Sequence, residues 1–100
     1  MKNGYTIRWT SHALEELRLT FEYLENNWSN KELENLARLV DQTVNLLAVR
    51  PEIFPKSEVN RDIRKAVVAK YNTLYYRIYG SEVQILSFFS NRQNPKKRTL

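Results

Sequence analysis

At 100 residues the chain is one domain's worth of polypeptide, able to hide roughly 65% of its unfolded surface in a modest core, which excludes large multidomain machines. Apolar residues make up 42% and charged residues 27%, with two glycines and three prolines, so collagen-like, linker-like and disordered compositions are excluded too. The absence of cysteine and the single histidine rule out a disulfide frame, a thiolate metal centre and a thiol nucleophile, and leave too few ligands for a protein-built zinc site.

The opening Met-Lys-Asn-Gly-Tyr carries no apolar stretch of signal-peptide length, and the longest apolar runs, 46–49 and 66–69, fall far short of the ~20 residues that a bilayer span needs. A soluble cytoplasmic protein without cofactor, metal or membrane contact is the expectation. The net charge of +5 conceals a segregation: residues 1–50 carry six basic against seven acidic side chains, net −1, whereas residues 51–100 carry ten against four, net +6. The basic half suits nucleic acid, a nucleic-acid-loaded machine or an acidic protein segment, or is only a solvated face.

Tyr5, Ile7 and Trp9 alternate with Thr6 and Arg8, the period of a short strand. Thr10 or Ser11 can cap a helix over about 11–27, whose first turn holds Glu15 and Glu16 at the positive end of the helix dipole and whose apolar stripe is Leu14, Leu17, Phe21, Leu24 and Trp28. After the turn Asn26-Asn27-Trp28-Ser29-Asn30, Ser29 and Glu32 form a capping box for a second helix with the stripe Leu33, Leu36, Val40, Val44 and Leu47, widened by Leu39 and Leu46. Arg50-Pro51 closes it, because proline disfavours helical geometry in the residue before it. The short connection predicts an antiparallel helical hairpin with arms of about 25 to 30 Å.

No regular element is expected over 52–58. Three successive strands follow, in Arg61-Asp62-Ile63-Arg64-Lys65-Ala66-Val67-Val68, in Tyr71-Asn72-Thr73-Leu74-Tyr75-Tyr76-Arg77-Ile78-Tyr79 and in Glu82-Val83-Gln84-Ile85-Leu86-Ser87-Phe88-Phe89. Reversals at 69–73 and at Gly80-Ser81 make them an antiparallel meander. The expected fold is a single α+β domain over 1–100: an N-terminal strand, a long helical hairpin, then the three-strand meander, with the helices packed on one sheet face. Counting reversals, the first strand should pair antiparallel with the last. The tail over 91–100 is polar and basic, and should be mobile at its end.

Alternation sets Leu74, Tyr76 and Ile78 on one face and Tyr75, Arg77 and Tyr79 on the other. Arginine can fork onto phosphate or carboxylate and tyrosine can stack, so the second stripe is a candidate binding surface; the alternative is that the tyrosines are merely amphipathic strand formers. Arg61, Arg64, Lys65 and Lys70 lie on or beside the neighbouring strand, and Arg92, Lys96, Lys97 and Arg98 follow the last one. The target-binding candidates are Arg61, Lys65, Lys70, Tyr75, Arg77, Tyr79 and Arg92. If Lys65 and Arg92 converge on Arg77, the three make a metal-free phosphate clamp that could neutralise charge during attack by a 2′-hydroxyl. Cleavage also needs a positioned acid and base, and none stands in a recognisable motif: His12 reads as a solvated or capping residue, and Tyr75, Tyr79, Glu58, Asp62 or a lysine of lowered pKa remain. Trp9 and Trp28 each complete an apolar period and read as core.

The order of elements resembles the RelE/ParE superfamily of toxins from bacterial type II toxin-antitoxin systems. The resemblance rests on Ile7-Arg8-Trp9-Thr10 leading into a helix at Ser11, on Arg50-Pro51-Glu52-Ile53-Phe54-Pro55, on Arg64-Lys65-Ala66-Val67-Val68, on Tyr75-Tyr76-Arg77-Ile78, and on Val83-Gln84-Ile85-Leu86 followed by Asn91-Arg92-Gln93-Asn94-Pro95. It implies a growth-inhibiting toxin held inactive in a hetero-oligomer with a cognate antitoxin that contributes an acidic segment. RelE-like members cut ribosome-bound mRNA with basic residues and, in many members, a Tyr or His near the carboxyl end; ParE-like members poison DNA gyrase and need no hydrolytic residue. Here Phe88, Phe89 and Ser90 stand where that aromatic or histidine would be sought, and no Tyr or His follows Tyr79. With the long helical arms, this favours the gyrase poison, which is not an enzyme. The alternative is a metal-independent endoribonuclease with Lys65, Arg77 and Arg92 as its catalytic candidates, and a third reading is a module that only binds its antitoxin.

Overall fold

The computed structural model describes residues 4–90; Arg92 and the expected mobile tail lie outside them. Strand β1, Thr6–Trp9, is followed by helices α1, Ser11–Asn27, and α2, Asn30–Val49. A short 3-10 turn at Pro51–Ile53 then leads to β2, Arg64–Ala69, β3, Asn72–Tyr79, and β4, Glu82–Ser90. The architecture is α+β: both helices cover one face of a four-stranded mixed sheet of order β1-β4-β3-β2. Among the described residues no helix is long and apolar enough to cross a membrane.

Local signals place the helix ends. The Thr10 hydroxyl accepts from the Ala13 amide at 3.2 Å and donates to the Ile85 carbonyl at 2.9 Å, so one side chain both caps α1 and ties it to β4. The Ser29 hydroxyl accepts from the Glu32 amide at 3.3 Å and caps α2, and Arg50 ends it before Pro51. The turn at Gly80 has φ +62, a left-handed backbone that glycine adopts at no steric cost.

The buried seam of α1 runs through Ala13, Leu17, Thr20, Phe21 and Leu24. It departs from the expected stripe at both ends. Leu14 is 49% exposed and Trp28 47% exposed, because Leu14 lies about 100° around the helix from Ala13, and Trp28 is the extended C-cap residue rather than a member of the helix. Trp9 does pack against the core, while on α2 Leu46 turns outward. Leu36, Val40 and Leu47 are buried and meet Ala66, Val68, Leu74, Tyr76, Val83, Ile85 and Phe88 of the sheet. Glu16 does more than complement the helix dipole. One carboxylate oxygen accepts from the Ser87 hydroxyl at 2.7 Å and from the Phe88 amide at 2.8 Å, pinning α1 to β4.

The segment after α2 is more ordered than its composition suggests. Besides the 3-10 turn, Lys56 forms an isolated bridge with Arg64, the Lys65 amide donates to the Pro55 carbonyl at 3.0 Å, and the Ser57 amide donates to the Ile63 carbonyl at 2.6 Å. Pro51 is buried, its carbonyl accepts from the Tyr76 hydroxyl, and the Phe54 ring stands edge-on to Tyr76 at 6.4 Å. Arg64 donates to the carbonyls of Glu52 and Phe54. Thus a strap crosses under β3 and lines the start of β2, whose ladder begins at Arg64 rather than Arg61.

β1 pairs with β4 in parallel, with Ile7 opposite Val83 and Trp9 opposite Ile85, so the antiparallel expectation is corrected. Counting reversals assumed that α1 runs back along the strands. Instead α1 starts beside Ile85 and ends where Leu24 shares a cleft with Ala69 and Asn72 at the β2–β3 turn, so it crosses the sheet. Helix α2 then returns the chain to the end where β1 began, and there the Ala48 carbonyl accepts from the Tyr5 amide at 2.7 Å. β2 departs from that same end, parallel to β1, and two hairpin reversals leave β4 parallel to both.

Candidate functional site

Among the described residues no helix covers the sheet face opposite α1 and α2, which is open around Arg77, and alternation assigns its side chains. Cross-strand partners share a face: Lys65 of β2 lies opposite Tyr75 of β3, Arg77 of β3 opposite Gln84 of β4, and Gln84 opposite Arg8 of β1. A bulge shifts the β3–β4 register between Tyr75 and Tyr76, leaving Leu86 as the extra residue of β4. There Leu86 packs with Ile63, Tyr75 and Phe89 in a small apolar cluster separate from the main core.

Arg77 stands exposed at the centre of the polar part of this face. Its Nε donates to Gln84 Oε1 at 2.8 Å, and its guanidinium carbon lies 5.7 Å from the centre of the Tyr79 ring, which is 66% exposed. Gln84 Nε2 donates to Glu82 Oε1 at 2.9 Å, and Arg8 Nη1 is 3.6 Å from Glu82 Oε2. The result is a row of charged and polar side chains across three strands, Arg77, Gln84, Glu82 and Arg8, beside an exposed aromatic ring.

The structure gathers only some of the expected residues. Lys65 and Arg77 share the open face with Tyr79, but Tyr75 is 3% exposed, covered by Ile63 and Phe89, and offers no free ring for stacking. Lys70 belongs elsewhere: it sits in the β2–β3 turn with its ammonium 5.4 Å from the Tyr71 ring, beside Leu24, Leu36 and Asn72. Asn72 opens the strand that carries Arg77, which puts the turn about 17 Å away along the sheet. Arg61 is exposed in the loop before β2, and Arg92 lies outside the described residues. Arg64 is committed to the strap carbonyls. His12 is paired with Glu16 at 3.3 Å on α1. Arg8, Glu82 and Gln84 are the members that reading the sequence missed. The period of β1 does set Arg8 against Ile7 and Trp9, but only the parallel register brings it beside Gln84.

Chemically the row can hold an anion. A guanidinium offers planar N–H donors matched to the oxygens of a phosphate or carboxylate, and its immediate partners here are an amide and an aromatic ring. The strongly shifted titration lies on the other face: burial pushes the Tyr76 phenol up to about 12, with Arg64 opposing and Glu52 adding to the rise. Among the described residues no group of three His, Cys, Asp or Glu side chains could hold a metal ion.

This fold recurs among known toxins. A family model described as the ParE toxin of type II toxin-antitoxin system, parDE, matches residues 7–95, and the chain belongs to that family. It is similar in structure to the chromosomal ParDE toxin-antitoxin system from P. aeruginosa, with TM-score 0.72 and 16% identity over 86% of this chain and 95% of that one. Similarity extends to a YoeB/ParE toxin from Agrobacterium tumefaciens, with TM-score 0.58 and 10% identity over 85% and 96% of the two chains. It also extends to the E. coli DinJ-YafQ toxin-antitoxin complex, with TM-score 0.52 and 14% identity over 90% and 96%. A search of curated proteins finds no matching sequence.

Proposed function

We propose that the chain inhibits growth as a ParE-like toxin that binds DNA gyrase and stabilises it on cleaved DNA, acting in the cytoplasm. The observation that carries this reading is Arg77 on the open sheet face, held by Gln84 and Tyr79 as an anchor for an anionic group of the target. An amide and a ring partner suit holding rather than proton transfer, and membership of the ParE family supports the same choice. Lys65 and Tyr79 extend the contact surface around Arg77, with Arg8 joining at β1; of the other residues expected from sequence, Arg61 is exposed before β2, Lys70 lies at the far turn, Tyr75 is buried and Arg92 lies outside the described residues. A cognate antitoxin with an acidic segment would neutralise the toxin in a hetero-oligomer, as the toxin-antitoxin complexes among its structural neighbours suggest. Purified chain mixed with gyrase and supercoiled plasmid should accumulate linear DNA. Unimpaired supercoiling at saturating toxin would overturn the proposal.

One observation favours a second reading. Lys65 shares the face of Arg77, as a metal-free endoribonuclease using Lys65, Arg77 and Arg92 on ribosome-bound mRNA would require. Primer extension on message in ribosomes separates the two, because cleavage at discrete positions belongs to the nuclease alone. Unimpaired growth on induction without antitoxin would leave only an antitoxin-binding module.

A further inference from the structure

The row on the open face has a direction built into it. Gln84 has one accepting and one donating end, and both are used: Oε1 takes the Arg77 Nε–H at 2.8 Å while Nε2 gives to Glu82 Oε1 at 2.9 Å. Turning the amide over would set NH2 against the Arg77 Nε–H and a carbonyl against the Glu82 carboxylate, two repulsive contacts. The Arg77 Nε–H and the Glu82 carboxylate therefore together fix which end of Gln84 faces Arg77. Arg8, 3.6 Å from the second Glu82 oxygen, keeps that carboxylate in place from β1. Tyr79 restrains the guanidinium from its own strand, its ring centre 5.7 Å from the guanidinium carbon. With Nε engaged, the outer edge of Arg77 is its two terminal nitrogens, which make no hydrogen bond or ion pair among the described residues.

We infer that Glu82 and Gln84 are positioning residues: a carboxylate-to-amide relay that orients Arg77 so that its terminal nitrogens meet a two-oxygen anion of the target. The inference rests on the reading that Arg77 contacts the target, and it adds two residues that never touch that target. Neither would be found by looking for basic side chains, since one is acidic and the other neutral.

The test uses the full-length chain labelled with 15N, following the Arg77 Nε–H signal. Glu82→Gln, nearly isosteric, should speed exchange of that proton with water about tenfold, the equivalent of one lost charge-assisted orientation. Gln84→Leu should do the same. Gln84→Glu gives Arg77 a new acceptor that needs no orienting, so in that background Glu82→Gln should leave the exchange unchanged. Inorganic phosphate, against chloride at matched ionic strength, should shift the Arg77 signal, and should do so more weakly in Gln84→Leu. Backbone amide spectra report folding; if Gln84→Leu does not fold, Glu82→Gln decides alone. Equal exchange in wild type and Glu82→Gln overturns the relay, and a phosphate response no larger than that to chloride overturns anion capture. Full toxicity of Arg77→Ala alongside an intact relay overturns the contact with the target while leaving the positioning standing, so the two failures are distinguishable.

Discussion

Tyr76 has its hydroxyl inside the interface between helices and sheet, where it donates to the Pro51 carbonyl. Burial pushes its pKa up to about 12 from an ordinary value of 10.0, so the folded state holds this proton more tightly than the unfolded chain. The stability contributed by the neutral phenol is complete below pH 10 and is lost as pH rises toward 12. Tyr76→Phe should cost about 1 to 2 kcal/mol at neutral pH, since it strands a carbonyl. Denaturant unfolding between pH 9 and 12 should then show a flatter decline for the variant than for wild type. Arg77 presents the opposite case: exposed and bonded only to surface groups, it should tolerate Arg77→Ala within about 0.5 kcal/mol while growth inhibition is lost. An Arg77→Ala chain that unfolds would make the side chain structural.

At the scale of elements, the helix ends and the hairpin turn were legible because their causes are local, whereas the start of β2 at Arg64 is set by pairing with Tyr76. Thr10, Ser29 and Pro51 mark helix ends within one turn of sequence, and Gly80-Ser81 marks a hairpin. What lay beyond reach depended on neighbours distant in sequence. Alternation assigns Tyr75 to the face of Arg77, yet nothing near Tyr75 reveals that Ile63 and Phe89 cover it. Leu14 fits a helical stripe as well as Ala13 does, and only the crossing of α1 over β4 selects Ala13. Hence Leu36→Ala should destabilise by about 2 to 5 kcal/mol, whereas Leu14→Ala should stay within about 0.5 kcal/mol, both read by chemical denaturation. Glu16 gives a sharper test of how α1 docks. Glu16→Ala leaves the buried Phe88 amide and Ser87 hydroxyl without their acceptor, and should cost about 2 to 3 kcal/mol, more than a lost dipole contact would explain.

Across the whole molecule, the charge asymmetry seen in sequence becomes a surface with an interruption. Arg77 and Lys65 occupy the open face, Lys70 sits at the far turn, and Glu82 stands between Arg8 and Gln84. Summing charge along the chain could not separate these, because the separation depends on which strand lies beside which. The parallel pairing can be checked directly: nuclear Overhauser contacts should link the backbone of Ile7 to that of Val83 and Trp9 to that of Ile85, in the same order along both strands.

That pairing also governs timing. Among the described residues β4 is the last strand in sequence but an interior one in the sheet, flanked by β1 and β3. A nascent chain that has emerged only as far as Tyr79 therefore has its first strand with no neighbour to zip against, and long-range closure of this kind is slow. A message cut short upstream of β4 should therefore yield a chain that lacks the strand joining β1 to the meander.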